Sequence, residues 1–176
     1  MRDQAAQLRE RLSPKRPVAE VWAVATCGGE RGALAFAREI QSLLQTSRLK
    51  VSLWGQVLEE AQVVLLPAGD GVAGVRRPYM RGAHTWLLLA PGSPEGLTES
   101  QQLLAEMSDG SLRSVYLALS GVPSVAAGEA MVRTFAEQVL AQIPCHPEPF
   151  GFYGPSETGA LTLSPVLLRR FFAGGR

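Results

Sequence analysis

The sequence predicts a doubly wound α/β domain, a mostly parallel sheet flanked by helices on both faces. Three observations carry this. Runs that are apolar at every position, Val63 to Leu66, Trp86 to Ala90 and Val115 to Leu119, read as strands buried on both faces, the hallmark of parallel sheets. Stretches with helical spacing separate these runs, so strand and helix alternate along the chain. The first strand also runs straight into a glycine turn that opens a helix. A chain of 176 residues, 46% hydrophobic, suits one domain, which buries about 70% of its unfolded surface.

Residues 1–12, MRDQAAQLRERL, set Met1, Ala5, Leu8 and Leu12 in an apolar stripe, predicting a short amphipathic helix with Asp3 as its N-cap. Helices this short barely form alone in water, so the stripe needs apolar surface on this domain or on a partner. Pro14 and Pro17 make residues 13–17 an extended linker, leaving 18–176 as the α/β domain. Val18 to Ala25 is the first strand and Cys27-Gly28-Gly29-Glu30-Arg31-Gly32 its turn. A helix then runs from Ala33 to about Gln45, with Leu34, Ala37, Leu43 and Leu44 facing inward. Strands follow at Val51 to Trp54 and Val63 to Leu66, the second ending in Pro67-Ala68-Gly69-Asp70-Gly71. A segment around Val72 to Arg81 leads to the Trp86 strand and a Pro/Gly turn at 91–96. A helix from Thr98 to about Met107, the Val115 strand, a long helix from about Ala126 to Ile143, a strand at Phe150 to Tyr153 and a short helix from Ser164 to Phe172 complete the domain.

Composition excludes several classes of function. A net charge of +1, from 17 basic and 16 acidic residues without long runs, lacks the clustered positive charge that nucleic-acid binding needs. No apolar run approaches the roughly 20 residues of a membrane span. The polar opening Met1-Arg2-Asp3-Gln4 is unlike a secretory signal, which points to the cytoplasm. Cys27 and Cys145 form neither a disulfide framework nor a zinc motif. Scarcity is also informative: there are 15 Arg but two Lys, three Asp and no Asn, so any chemistry that needs Lys, Asp or Asn at a set place can be checked by inspection.

Asp3-Gln4-Ala5-x-x-Leu8-Arg9 matches the DQAxxLR motif that opens the FlhG/YlxH flagellar-number regulators, a branch of the MinD/ParA-like P-loop ATPase family, and the chain resembles that family. The likeness continues in order through the Gly28-Gly29 turn, the Gly69-x-Gly71 turn, Leu87-Leu88-Leu89 through Pro94-x-x-Leu97-Thr98-Glu99, the strand Val115 to Val122 with Gly128-Glu129 after it, and Phe150-Gly151-Phe152 with the terminal Val-Leu-Leu-Arg-Arg. It covers nearly the whole chain, with one apparent deletion around Gly55 to Gln56. The arm is its most specific part. The resemblance implies a MinD-like fold of the P-loop NTPase type, shortened.

The family's phosphate loop is KGGxGK[ST], in which backbone amides cradle phosphate, lysines neutralise it and a hydroxyl holds magnesium. Here Cys27 stands at the signature lysine, and Gly32 and Ala33 at the second lysine and the Ser/Thr, while Glu30 adds negative charge. The chain carries Ser52-Leu53-Trp54-Gly55 where the family has aspartates for water activation, Pro67 at the magnesium-side aspartate, and Ser120 at the asparagine that reads adenine. The resemblance therefore implies a pseudo-ATPase without a cofactor. Gly28, Gly29, Arg31, Gly32 and Asp70 form a vestigial loop; weak ATP or anion binding would rest on Arg31 and the glycine amides, with Asp70 approaching a metal.

Other candidates read as structural. His84 and His146 lack a nucleophile elbow or a metal-ligand spacing, and Cys145 beside His146 points away from it. Arg76, Arg77 and Arg81 read as a solvated face, and Leu167 to Phe172 as core packing rather than membrane contact. The arm has the opposite weight. In the family it docks on FlhF, a signal-recognition-particle-type GTPase, and stimulates GTP hydrolysis. By resemblance Gln4 reaches the composite GTPase site, Asp3 caps the helix, Ala5 and Leu8 pack on the partner, and Arg9 pairs with acidic or carbonyl groups. Family dimers sandwich ATP, so without those lysines a monomer is expected, or a dimer built by another surface. Two alternatives remain: a divergent MinD/ParA-type ATPase using Arg31 and Asp70, and a scaffold that kept the fold to contact flagellar switch or chemotaxis proteins.

Overall fold

The computed structural model describes residues 19–27, 30–46, 49–56, 60–68, 82–83, 85–107, 114–154, 160–165 and 167. The strands are β1 (Glu20–Thr26), β2 (Val51–Leu53), β3 (Val63–Pro67), β4 (Thr85–Pro91), β5 (Ser114–Ser120), β6 (Glu148–Phe152) and β7 (Thr162–Leu163). The helices are α1 (Glu30–Thr46), α2 (Pro94–Met107) and α3 (Val125–Leu140). One seven-stranded sheet has the order β2-β3-β1-β4-β5-β6-β7, parallel throughout except for the β6–β7 pair. The α/β class expected from the apolar runs is therefore the one observed.

The central strand explains the layering. Trp22, Ala23, Val24 and Ala25 are each at most 1% exposed, so both faces of β1 are covered. Trp22 and Val24 join Leu65, Leu87, Ala118 and Phe150 under α1, whose buried side is Phe36, Ala37, Ile40 and Leu44. Ala23 and Ala25 face the other way, with Leu88, Leu117, Leu103, Leu104 and the α3 residues Val132, Phe135 and Val139. Alternation along a strand thus feeds two cores.

The structure corrects the sequence reading in several places. Leu34 lies outside the inner face of α1 and is 37% exposed, because the buried phase runs through Ala33, Phe36, Ala37 and Ile40. Helix α2 starts at Pro94 rather than Thr98, since the Ser93 hydroxyl accepts the Gly96 N–H at 3.2 Å as an N-cap and proline suits the first helical position. Helix α3 ends at Leu140, short of Ile143, whose amide donates to Val139 O in a closing turn. The sequence reading contained no β7, and it runs antiparallel to β6. Strand β2 ends in a tight turn in which Gln56 N donates to Leu53 O and Gly55 takes φ +90°, a conformation natural to glycine. The final helix is seen only at Pro165 and Leu167, and the side chain of Leu167 is buried under α1.

Candidate functional site

A sheet of this order has a crevice where successive crossovers leave in opposite directions, here at the carboxyl ends of β1 and β4. A cleft of about 640 Å³ opens beside that point. Helix α1 lines it with Gly32, Phe36 and Glu39, the end of β4 with Leu89, Pro91 and Ser93, the end of β5 with Ser120, and the segment after β6 with Tyr153.

The cleft's polar centre is a pair joined across 114 residues of sequence: the Tyr153 hydroxyl donates to Glu39 Oε2 at 2.6 Å. Glu39 Oε1 accepts the Leu161 amide at 3.3 Å, so the carboxylate ties α1 to the entry of β7. Burial, then the hydrogen bond to and the charge of Glu39, push the Tyr153 phenol far above its ordinary range, which keeps it a donor at neutral pH. Among the described lining residues Glu39 is the one charged side chain, and it is negative. A phosphate group entering this part of the cleft meets repulsion and no described cation.

Of the loop residues singled out in the sequence, Gly32 lines the cleft in the first turns of α1. A Cβ at this position would lie 3.0 Å from Thr26 Oγ1, so the close approach of α1 to β1 favours glycine here. Arg31 belongs to the first turn of α1, but its side chain lies outside the described residues, as do Gly28, Gly29 and Asp70. The arm residues Asp3, Gln4, Ala5, Leu8 and Arg9 also lie outside, together with His84, Arg76, Arg77 and Arg81.

Cys27 lies at the exit of β1, but its thiol is turned toward α2. The sulfur is 3.4 Å from Ser100 Oγ and 3.9 Å from Gly96 O, and burial raises its pKa. Ala33 is fully buried, Pro67 pairs with Val24 within the sheet, and Ser120 lines the cleft with its hydroxyl 3.5 Å from Ala90 O. Cys145 is a buried free thiol and His146 is exposed. Among the described residues no group of three His, Cys, Asp or Glu is placed to hold a metal ion, and no helix is long and apolar enough to cross a membrane.

Sequence reasoning missed Glu39, Phe36 and Tyr153. Part of the signal was present, since Gly32, Phe36 and Glu39 follow a four-then-three spacing that places them on one helix face. The partner Tyr153 carries no local mark.

No known family matches the chain by sequence, and no curated protein matches it. Solved structures do match. A chain of the MinC:MinD cell division protein complex of Aquifex aeolicus superposes with a TM-score of 0.53 at 10% identity, covering 79% of this chain and 82% of that one. The MinD cell division protein of Aquifex aeolicus gives a TM-score of 0.46 at 12% identity, covering 78% and 83%. The fold is MinD-like. The described walls of the cleft are apolar apart from Glu39, Tyr153 and the two serines.

Proposed function

We propose that this chain is a non-catalytic regulator on a MinD-type scaffold, an FlhG-like protein whose residues 1–12 bind and stimulate an FlhF-type GTPase and so regulate the placement or number of flagella. The observation that carries the non-catalytic part is the chemistry of the cleft, where the charged side chain in the described lining is a carboxylate. Cys27, Gly32, Ala33, Pro67 and Ser120 bring no cation, no metal-side hydroxyl or carboxylate, and no amide to read a base. Phosphoryl transfer depends almost wholly on such positioning and charge, so losing these groups together removes its main source of rate.

The partner-binding part rests on Asp3-Gln4-Ala5-x-x-Leu8-Arg9, a helix motif that keeps its pattern in a chain whose nucleotide positions have changed. The MinC:MinD complex, in which a protein of this fold is assembled with another protein, supports the use of the scaffold as a platform. In this reading Ala5 and Leu8 supply the contact, Arg9 its polar edge, and Gln4 the group that reaches the GTPase centre.

The test is GTP turnover by an FlhF-type GTPase with the full chain added, compared with Gln4→Ala and Leu8→Ala. Stimulation is expected from the full chain. Gln4→Ala should lose stimulation while still binding, and Leu8→Ala should bind less. A competent GTPase that gains nothing from the full chain overturns the proposal. Thermal unfolding with Mg-ATP tests the nucleotide side, because a ligand at 100 times its Kd stabilises by about 2.7 kcal/mol, or roughly 5–10 °C for a domain of this size. No shift is expected.

A further inference from the structure

The sheet ends at β2, and among the described residues no strand pairs with its outer edge. Toward β3 this strand presents Lys50 O, which accepts the Val63 N–H at 3.2 Å, and the Trp54 N–H, which donates to Leu65 O at 2.9 Å. Backbone groups of successive residues point to opposite sides of a strand, so Val51 and Leu53 turn theirs outward. Outward groups of this kind are a template for another strand, and sheets that stay single have a way of closing them.

Three glutamines lie along this edge. The Val51 and Leu53 side chains are packed under α1, which brings that helix beside the edge. From it Gln41 and Gln45, one turn apart, both donate from Nε2 to Val51 O, at 3.2 and 3.1 Å. Gln56 Oε1 accepts the Leu53 N–H at 3.2 Å, and Gln41 Nε2 links the two sets by donating to Gln56 Oε1 at 3.1 Å. The turn through Gly55 returns Gln56 to the strand, where its own N–H donates to Leu53 O at 2.9 Å. Val51 O and the Leu53 N–H are thus held by side chains alone.

The residue type follows from this task. A carboxamide carries both donor and acceptor, as a peptide group does, whereas Lys only donates and an ionised Glu only accepts. Gln41 Nε2 and Gln56 Oε1, bonded to each other, therefore offer Val51 O and the Leu53 N–H what the backbone of a neighbouring strand would offer. Those two groups are also complementary to themselves. In an antiparallel pair of two copies centred on Ser52, the Leu53 N–H of each copy meets Val51 O of the other. A second β2 is the strand this edge fits, and its inner contacts are the ones the glutamines already hold.

We propose that Gln41, Gln45 and Gln56 form a clasp that keeps a second copy of the chain from adding its β2 to this edge of the sheet. The inference is independent of what the arm or the cleft binds.

The experiment compares the full chain with its Gln41→Ala/Gln45→Ala/Gln56→Ala variant in micromolar and in millimolar solution. Amide exchange is read by NMR and mass by sedimentation velocity, with cooperative thermal unfolding showing that the variant folds. Residues 52 and 53 are unchanged, so the intrinsic exchange rate of the Leu53 amide is the same in both chains. In dilute solution that amide should exchange about two- to tenfold faster in the variant, the worth of one hydrogen bond. In concentrated solution the variant should gain mass over the wild type, and its Leu53 amide should slow again as the edges pair. The wild-type Leu53 rate should not depend on concentration. An unchanged Leu53 rate in the variant, a variant that gains no mass over the wild type, or a wild type whose Leu53 amide slows with concentration overturns the proposal.

Discussion

Gly128 on α3 provides a test in which two physical effects oppose each other. Glycine inside a helix costs about 1 kcal/mol relative to alanine, so propensity alone makes Gly128→Ala stabilising. The packing argues otherwise. A Cβ at Gly128 would lie 2.3, 2.5 and 2.9 Å from three ring atoms of Phe152, a side chain 2% exposed in the core beneath α3. Overpacking a close-fitted core costs about 1–3 kcal/mol, and three ring atoms inside contact distance place this case at the upper end, about 3. Subtracting the propensity gain leaves a net loss of about 2 kcal/mol. With a urea m-value of about 2 kcal/mol/M, the unfolding midpoint should drop by about 1 M, and Tm by about 4–8 °C. The double variant Gly128→Ala/Phe152→Leu should recover part of the loss, giving a coupling energy of about 1 kcal/mol or more. A Gly128→Ala protein as stable as wild type, or more stable, would refute the close contact between α3 and β6.

Three further outcomes are expected. Tyr153→Phe removes the bond to Glu39 and should cost about 1 kcal/mol near neutral pH. It should also change the alkaline limb: the Tyr153 pKa is raised in the fold, so the unfolded chain releases this proton first, and the stability from this group is full below about pH 10 and is lost as pH rises further. Urea titrations at pH 8 and above 10 should therefore find the variant's stability falling less steeply than wild type. Ser124→Ala deletes the side chain that caps α3 through the Ala127 amide at 3.2 Å and should cost about 1 kcal/mol by thermal melting. Cys27 and Cys145, both with pKa values raised by burial, should react slowly with a disulfide reagent at pH 8 in the native state and quickly after denaturation. Rapid native labelling of Cys27 would contradict the placement of its sulfur under α2.

What the sequence made readable and what it concealed follow from the range of the interactions. Strands β1, β3, β4 and β5 are buried on both faces, so each is a short apolar run, and its length and the Gly/Pro turns that flank it separate it from a helix. The Pro and Gly residues of 91–96 suggest a turn that delays α2 to Thr98, whereas Ser93-Pro94 is a cap followed by the position proline favours. Leu34 was misassigned because leucine is apolar on average, whereas the phase of α1 is set by Phe36 and Ile40 meeting β-strand residues far away in sequence. Glu39 and Tyr153 could not be paired in advance, since nothing near either residue marks the other. The loop positions were the opposite case, because the absence of a lysine is visible without any structure.

That difference bears on how fixed the proposed loss of catalysis is. A lysine at Cys27 would put its aliphatic stem where the thiol now lies, against Ser100 Oγ and Gly96 O at the edge of the core, and displace that packing. A side chain at Gly32 would press on Thr26, and one larger than Ala33 has no free surface to occupy. On the proposed reading, positions released from holding phosphate have been taken over by packing between α1, α2 and β1. Single reversions would then destabilise the domain before they restored any affinity for nucleotide.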